Sequence, residues 1–258
     1  MNNYLTLLQK EMKEALRNGK WIWLPIALII LGISQPISTY YMPQILESAG
    51  NLPEGAVIEI PVPTGEEVLA STLSQFGTIG TLLIVIAFMG AISNEQQNGT
   101  LTLVMVRPVS PLQYITSKWS SQIIITIISF LFSYGITWYY TNLLFNPVPW
   151  QRVIASFVIY SLWLLFILSV TLLTGTWLKA ASGIAGLSIV ILGGLSALSG
   201  LFTKYTQWSP SNIRAQATAV LLQGELAEHG VLVICTTMIL SLLLVAIATI
   251  NFRRFEQF

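Results

Sequence analysis

Six long apolar stretches alternate with polar connections along this chain of 258 residues. A helix needs about 20 mostly apolar residues to cross a bilayer. The pattern therefore predicts an all-α polytopic membrane protein with six transmembrane helices in one domain, 1–258. The expected spans are 21–41, 73–93, 121–144, 153–177, 182–202 and 230–250.

Two further helices are expected outside the spans. In segment 1–20, Leu5, Leu8, Met12 and Leu16 fall on one helical face with charged residues opposite, which predicts an amphipathic helix. The connection 203–229 contains a helix of roughly 14 residues, with N-cap and stop signals at its ends. It is too short to span. We expect it to lie in the outer interface or to enter the membrane and return.

Local signals mark the helix ends. The sequence TGEE predicts a capping box between Thr64 and Glu67 at the start of the second span. Ser209 is expected as an N-cap, with Pro210 in the first helical position, and Gly224 is expected to stop that helix.

Composition supports the membrane assignment and excludes several functions. Charged residues make up 9% of the chain and hydrophobic residues 54%, against about 25% charged in a soluble domain. A net charge of +1 gives no basic surface for nucleic acid. The single cysteine, Cys235, is expected to be a small buried hydrophobe.

The predicted spans contain no Asp, Glu, Lys, Arg or His. Proton- and ion-driven transporters usually keep ionisable groups inside the membrane. The chain also lacks a P-loop phosphate motif. Energy for any transport would therefore have to come from another protein. The only histidine, His229, is expected to be a surface residue at a span end.

The distribution of basic residues predicts the orientation. With both termini on one side, nine of the 12 Lys and Arg residues fall on that side and three, Arg152, Lys204 and Arg214, on the other. Positive charge concentrates in cytoplasmic loops. Both termini are therefore expected in the cytoplasm, with the chain in the plasma membrane.

The connection 94–118 contains a short apolar patch, 101–106, between Glu95 and Arg107. The patch is too short to span and too apolar to sit in water. Two interpretations are open from the residues alone. The patch lies in the inner membrane interface, or it docks on another cytoplasmic protein.

A family resemblance favours docking. Glu95, then Gly99–Thr100–Leu101, then Pro108–Val109–Ser110 and Lys118 resemble the inner loop of the permease subunits of type-2 ABC transporters. The N-terminal amphipathic segment resembles that family's elbow helix, and 203–229 resembles its re-entrant segment between spans five and six. Pro111 departs from the family pattern, which often has a basic residue there; Arg107 is a candidate substitute.

The resemblance implies a function and partners. The chain would be the membrane subunit of an ATP-driven exporter, working with two copies of an ABC ATPase subunit and with a second permease subunit in a homo- or heterodimer, surrounded by membrane lipid. ATP-Mg would bind to the ATPase, and this chain would bind no cofactor or metal. The expected ATPase-coupling residues are Glu95, Gly99, Thr100, Leu101, Leu103, Pro108 and Lys118.

Two alternatives remain. One is a membrane-embedded binding or immunity protein that works without ATP, and the other is an intramembrane enzyme. The sequence does not identify the substrate, which could be a drug, peptide, lipid-like molecule or ion. Glycine-rich span five carries small-residue pairs that allow a close helix contact, within one subunit or between two.

Overall fold

The computed structural model describes residues 3–48, 62–100 and 109–253. Within these ranges every regular element is helical. Their bounds are α1 Asn3–Arg17, α2 Lys20–Ser48, α3 Gly65–Gln75, a π-helical turn Phe76–Gly80, α4 Thr81–Phe88, α5 Gly90–Gln97, α6 Pro111–Leu144, α7 Trp150–Trp177, α8 Ala181–Leu201, a 3₁₀ turn Pro210–Asn212, α9 Ile213–Gln223 and α10 Gly230–Arg253.

Six helical segments of the described chain are long and apolar enough to cross a membrane, as predicted. Span one is α2, span two combines α3, α4 and α5 as Gly65–Gln97, and spans three to six are α6, α7, α8 and α10. Spans two and four are the most buried of the six. Helix α1, the end of span two, the start of span three and the end of span six lie at one end of the bundle, called here the N-terminal face. Helix α9 lies at the other end, called the opposite face.

The helices of spans two and three extend further toward the N-terminal face than predicted. Span three begins at Pro111 rather than at 121, because Ser110 and Gln113 form a capping box and Pro111 occupies a first-turn position. Span two continues to Gln97. Glu95 and Lys118 therefore belong to the spanning helices, just outside the apolar ranges 73–93 and 121–144, which contain no Asp, Glu, Lys, Arg or His.

The capping predictions at the opposite face are confirmed in part. Thr64 and Glu67 form the predicted capping box. Gly224 ends α9 in the left-handed conformation, with φ of 81°. Ser209 precedes the 3₁₀ turn, but its side chain makes no capping hydrogen bond. Its hydroxyl bonds Ser199 and Ser211 instead, so it joins this connection to span five.

Span one packs most extensively against span three. The contact is close because Gly32 has no side chain: a Cβ there would clash with Thr137 Oγ1 and lie 2.9 Å from Ser133 Oγ. Ser133 in turn donates a hydrogen bond of 2.6 Å to the Leu28 carbonyl oxygen of span one. Small residues and hydroxyl groups thus hold these two spans together, in the way expected of membrane helices.

Cys235 lies on the exposed face of span six, contrary to the prediction that it is buried. Span six buries another helical stripe, which includes Val233, Thr237 and Ser241. Apolarity did not reveal which face of this helix points inward, because both the protein interior and lipid favour apolar side chains.

Candidate functional site

Three charged residues from three separate helices meet at the N-terminal face. Lys118 of span three places its Nζ 2.9 Å from Glu11 Oε1 of α1 and 3.0 Å from Glu95 Oε1 of span two. Glu95 and Lys118 belong to the two helices that flank the connection between spans two and three. Their ion pair therefore joins these helices at the base of the connection, and Glu11 joins both to the N-terminal helix.

These groups are largely withdrawn from solvent. The side chains of Lys118 and Glu95 are 1% and 5% exposed, and that of Glu11 is 11% exposed. Removing such charges from water costs several kcal/mol per ion unless partners compensate. For the Lys118 ammonium, contacts with both Glu11 oxygens and with Glu95 offset this desolvation cost. The ammonium also lies 5.0 Å from the centre of the Tyr114 ring.

Glu95 has two further partners. The Tyr114 hydroxyl donates a hydrogen bond to Glu95 Oε2, and the Lys10 ammonium pairs with Glu95 Oε1. Tyr114 also stacks on Phe252, with ring centroids 4.7 Å apart, near the end of span six. The group formed by Lys10, Glu11, Glu95, Tyr114 and Lys118, called here the charge cluster, thus connects α1 with spans two, three and six.

Electrostatics keep the Lys10 ammonium of the cluster charged. Burial and the nearby Lys118 charge lower the pKa of Lys10, but Glu11 and Glu95 outweigh them, so its pKa lies above the usual value. Lys10 therefore stays protonated throughout the neutral range and remains available to Glu95.

Two carboxylates of the cluster and that of the neighbouring Glu14 lie close enough together to hold a metal ion, but the lysines of the cluster neutralise them. Oxygens of Glu11, Glu14 and Glu95 lie within 4.8 Å of one another. The Lys118 ammonium bonds Glu11 and Glu95, and Lys10 contacts all three carboxylates. The arrangement is an ion-pair network in which the lysine ammoniums neutralise the carboxylates.

The N-terminal helix meets the bundle through a different stripe from the one expected. Tyr4, Leu7, Glu11 and Ala15 face the bundle, with the Tyr4 hydroxyl donating a 2.8 Å hydrogen bond to Ser120 Oγ. The predicted apolar stripe is only half-buried at Leu8 and Met12, and its ends, Leu5 and Leu16, are exposed. Such a helix can also rest in a membrane interface.

The remaining predicted coupling residues stand at the edge of the described chain. Gly99 adopts φ of 68°, a left-handed conformation that turns the chain after α5. The Thr100 hydroxyl donates a 3.4 Å hydrogen bond to the Glu95 carbonyl oxygen. Leu101, Leu103 and Pro108, together with Arg107, lie outside the described residues. Their roles stay predictions.

Sequence reasoning selected Glu95 and Lys118 but missed Lys10, Glu11 and Tyr114. Lys10 and Glu11 counted only among the charged residues opposite the apolar face of segment 1–20, and the sequence pattern gave Tyr114 no role. Their contacts cross 85, 107 and 19 positions of sequence. The signal available in the sequence was Lys118 itself, which lies close to the apolar stretch 121–144. A charge held among membrane helices requires partners.

The fold and this face define a polytopic helical membrane protein whose N-terminal helix is ion-paired to spans two and three. A family model for the ABC-2 family transporter protein matches residues 5–256, and the chain belongs to this family. It is similar to the uncharacterized transmembrane protein YxlG of Bacillus subtilis (strain 168), with 39% identity over 258 residues and full coverage of both chains. The predicted family resemblance is thereby confirmed.

Proposed function

We propose that this chain is the permease subunit of an ATP-driven exporter, and that its 94–118 connection receives the mechanical signal from a separate ATPase. Membership of the ABC-2 family implies association with an ABC ATPase. The observation that carries the proposal is the charge cluster, because it joins both ends of this connection to α1 and to the spanning helices. ATP-Mg would bind on the partner chain.

The cluster gives a physical route from the loop into the membrane. A displacement of the loop base acts on spans two and three directly, because Glu95 and Lys118 belong to those helices. Ion pairing with Glu11 makes α1 move with them. ATP binding can then bias two arrangements of the bundle, provided that the ATPase has different affinities for the two.

The N-terminal face is proposed to lie in the cytoplasm. The basic residues Lys10, Lys13, Arg17 and Lys118 all belong to this side of the chain, as the positive-inside rule requires. This orientation presents residues 101–106 to cytoplasmic proteins. The outward direction of transport is proposed from the family resemblance.

A second permease subunit is proposed to pack on span five. A Cβ at Gly186, Gly193, Gly194 or Gly200 would meet no atom within 4 Å among the described residues, so these glycines make no close contact with another described span. Glycine is favoured in membrane helices where another backbone approaches. A contact between subunits therefore fits this face better than the alternative of a contact within one subunit.

Co-purification tests the ATPase partnership. The chain is expressed with an ATPase encoded beside it, extracted in detergent and captured by an affinity tag. Substituting Leu101→Asp together with Leu103→Asp is expected to abolish ATPase recovery, because charged residues would replace the apolar docking area. The double variant should still insert and elute as the wild type does.

Val62→Asp provides the matched control. Val62 is 80% exposed near the opposite face, so an added carboxylate there should leave ATPase recovery unchanged. Recovery of the ATPase by the loop variant at wild-type levels would refute the docking role. Failure of the wild-type chain to recover any nucleotide-binding protein would reject the exporter and favour a protein that works without ATP.

A further inference from the structure

A second polar site lies at the opposite face, far from the charge cluster. There a cleft of about 810 Å³ opens between span two, the end of span five and α9. Ligand sites of proteins usually measure about 300–1,000 Å³. The cleft therefore has room for the headgroup and part of the chain of an amphiphile.

Arg214 is the charged residue that lines this cleft. Its Nε donates to the Ser211 carbonyl oxygen at 3.3 Å, Nη1 to the Gly77 carbonyl oxygen at 3.2 Å and Nη2 to Ser196 Oγ at 3.1 Å. A guanidinium carries five N–H donors. Two donors thus remain beyond these three hydrogen bonds.

Neutral groups surround the Arg214 charge in the described parts of the chain. Its hydrogen-bond acceptors are two carbonyls and a hydroxyl, and its guanidinium lies 4.9 Å from the centre of the Trp163 ring. None of the ion pairs among described residues includes Arg214. A cation held among membrane helices without a carboxylate is costly, and an anionic ligand would relieve that cost.

The backbone of span two is shaped around this side chain. Gly77 lies in the π-helical turn Phe76–Gly80, and a Cβ at this position would lie 2.7 Å from Arg214 Nη1 and 3.0 Å from its Cδ. The Gly77 carbonyl oxygen also accepts a 2.9 Å hydrogen bond from the Thr81 hydroxyl. Short π-helical turns often occur at functional sites. The guanidinium is therefore held in place before any ligand arrives.

The walls of the cleft combine two chemistries. Ser199 and Ser211 line the cleft, and their hydroxyls form a buried group with that of Ser209, with mutual oxygen distances of 2.6–3.0 Å, which attaches the start of the α9 region to span five. Ala215, Ala219 and Leu222 of α9 line the cleft as well. One side thus offers a cation and hydroxyls, and another offers an apolar surface.

We propose that this cleft binds a membrane amphiphile with an anionic headgroup, with Arg214 contacting the headgroup and α9 contacting its apolar chain. The site goes beyond the proposed coupling to an ATPase, because binding requires only the permease. Its presence can be tested on the purified chain whether or not the ATPase partnership holds.

Lipid binding to the purified chain, measured by native mass spectrometry, tests this site. Phosphatidylglycerol and phosphatidylcholine with the same acyl chains serve as anionic and zwitterionic probes. The wild type is expected to prefer phosphatidylglycerol. Arg214→Gln should lower that affinity about tenfold, as expected for loss of a charge-assisted contact, with little effect on phosphatidylcholine. Arg214→Lys should retain part of the preference.

Arg152→Gln is the matched control, because Arg152 lies near the same face but pairs with Glu66 at 3.6 Å. It should leave the lipid preference unchanged. Ala215→Phe keeps Arg214 and adds bulk to an exposed position that lines the cleft. This variant should weaken binding of both lipids at an unchanged unfolding temperature. If Arg214→Gln fails to fold, Ala215→Phe still tests whether the lipid binds in this cleft.

Three results would overturn the proposal. The first is equal phosphatidylglycerol affinity in the wild type and Arg214→Gln. The second is displacement of the lipid by millimolar inorganic phosphate, which would assign the cleft to a soluble oxyanion. The third is a lower dimer fraction in Ala215→Phe with unchanged lipid binding, which would make the cleft a contact between two copies of the chain.

Discussion

The Lys118 ammonium of span three lies 3.0 Å from Glu95 Oε1 of span two, although 22 residues of sequence separate them. The same ammonium contacts both carboxylate oxygens of Glu11 in the N-terminal helix. One lysine therefore ties three separate segments, and several measurable consequences follow from its position.

Replacing Lys118 with methionine should destabilise the protein strongly. Lys118→Met leaves Glu11 and Glu95 close together without their shared cation. Breaking a buried ion pair by removing one partner typically costs about 3–5 kcal/mol. The expected result is a lower thermal unfolding temperature in detergent. Lys179→Met, at an exposed position of the same face, should leave the unfolding temperature unchanged; a similar loss in both variants would contradict the buried role of Lys118.

A double-mutant cycle should show that α1 is coupled to span three through Glu11 and Lys118. We expect an interaction free energy of at least about 1 kcal/mol from Glu11→Gln, Lys118→Met and the combined variant, because the pair is shielded from solvent. Lys10 and Glu14, at 3.7 Å within α1 and partly exposed, provide a control pair expected near 0.3–0.5 kcal/mol. Equal values for both pairs would mean that the buried pair does not hold α1 to the bundle.

The contact between spans one and three should tolerate no added methyl group at Gly32. Gly32→Ala places a Cβ against Thr137 Oγ1 and Ser133 Oγ, and such overpacking typically costs about 1–3 kcal/mol. Thermal unfolding measures the loss. Gly135→Ala is the control, since nothing lies within 4 Å of its Cβ position among the described atoms. Thr137→Ala should restore part of the thermal stability lost in Gly32→Ala, but none of that lost in Lys118→Met.

Cysteine labelling should place the two faces on opposite sides of the membrane. In a Cys235→Ser background, Asn98→Cys and Gln207→Cys add single thiols at exposed positions of the N-terminal and opposite faces, respectively. A membrane-impermeant maleimide applied to intact cells should label Gln207→Cys only, and both after permeabilisation. Labelling of Asn98→Cys in intact cells would reverse the proposed orientation and remove residues 94–118 from reach of a cytoplasmic ATPase.

Much of the helical framework follows from local sequence. Six apolar stretches predict six spans, because the bilayer requires a minimum apolar length. The pairing of Thr64 with Glu67 predicts a capping box, and Gly224 predicts a helix stop, because both depend on residues within one turn. These features need no knowledge of distant contacts.

The site was only partly predictable. Glu95 and Lys118 attracted notice through the loop pattern, whereas their shared contact with Glu11 did not, because no local pattern brings α1 to span three. At the N-terminal face, the sequence placed the end of span two too early and the start of span three too late, for a related reason. Charged residues normally mark the end of a membrane helix, but here their partners allow the helices to continue.

The sequence by itself determined the class of the protein, the number of its spans and several helix ends, since apolar length and helix caps act over short distances. Only the tertiary structure decided that Lys118 is buried between two carboxylates, that Cys235 is exposed and that Arg214 faces a cleft. Those outcomes depend on which helix faces meet. Apolar side chains suit lipid and protein interior alike, so composition does not distinguish the inward face of a span from the outward one.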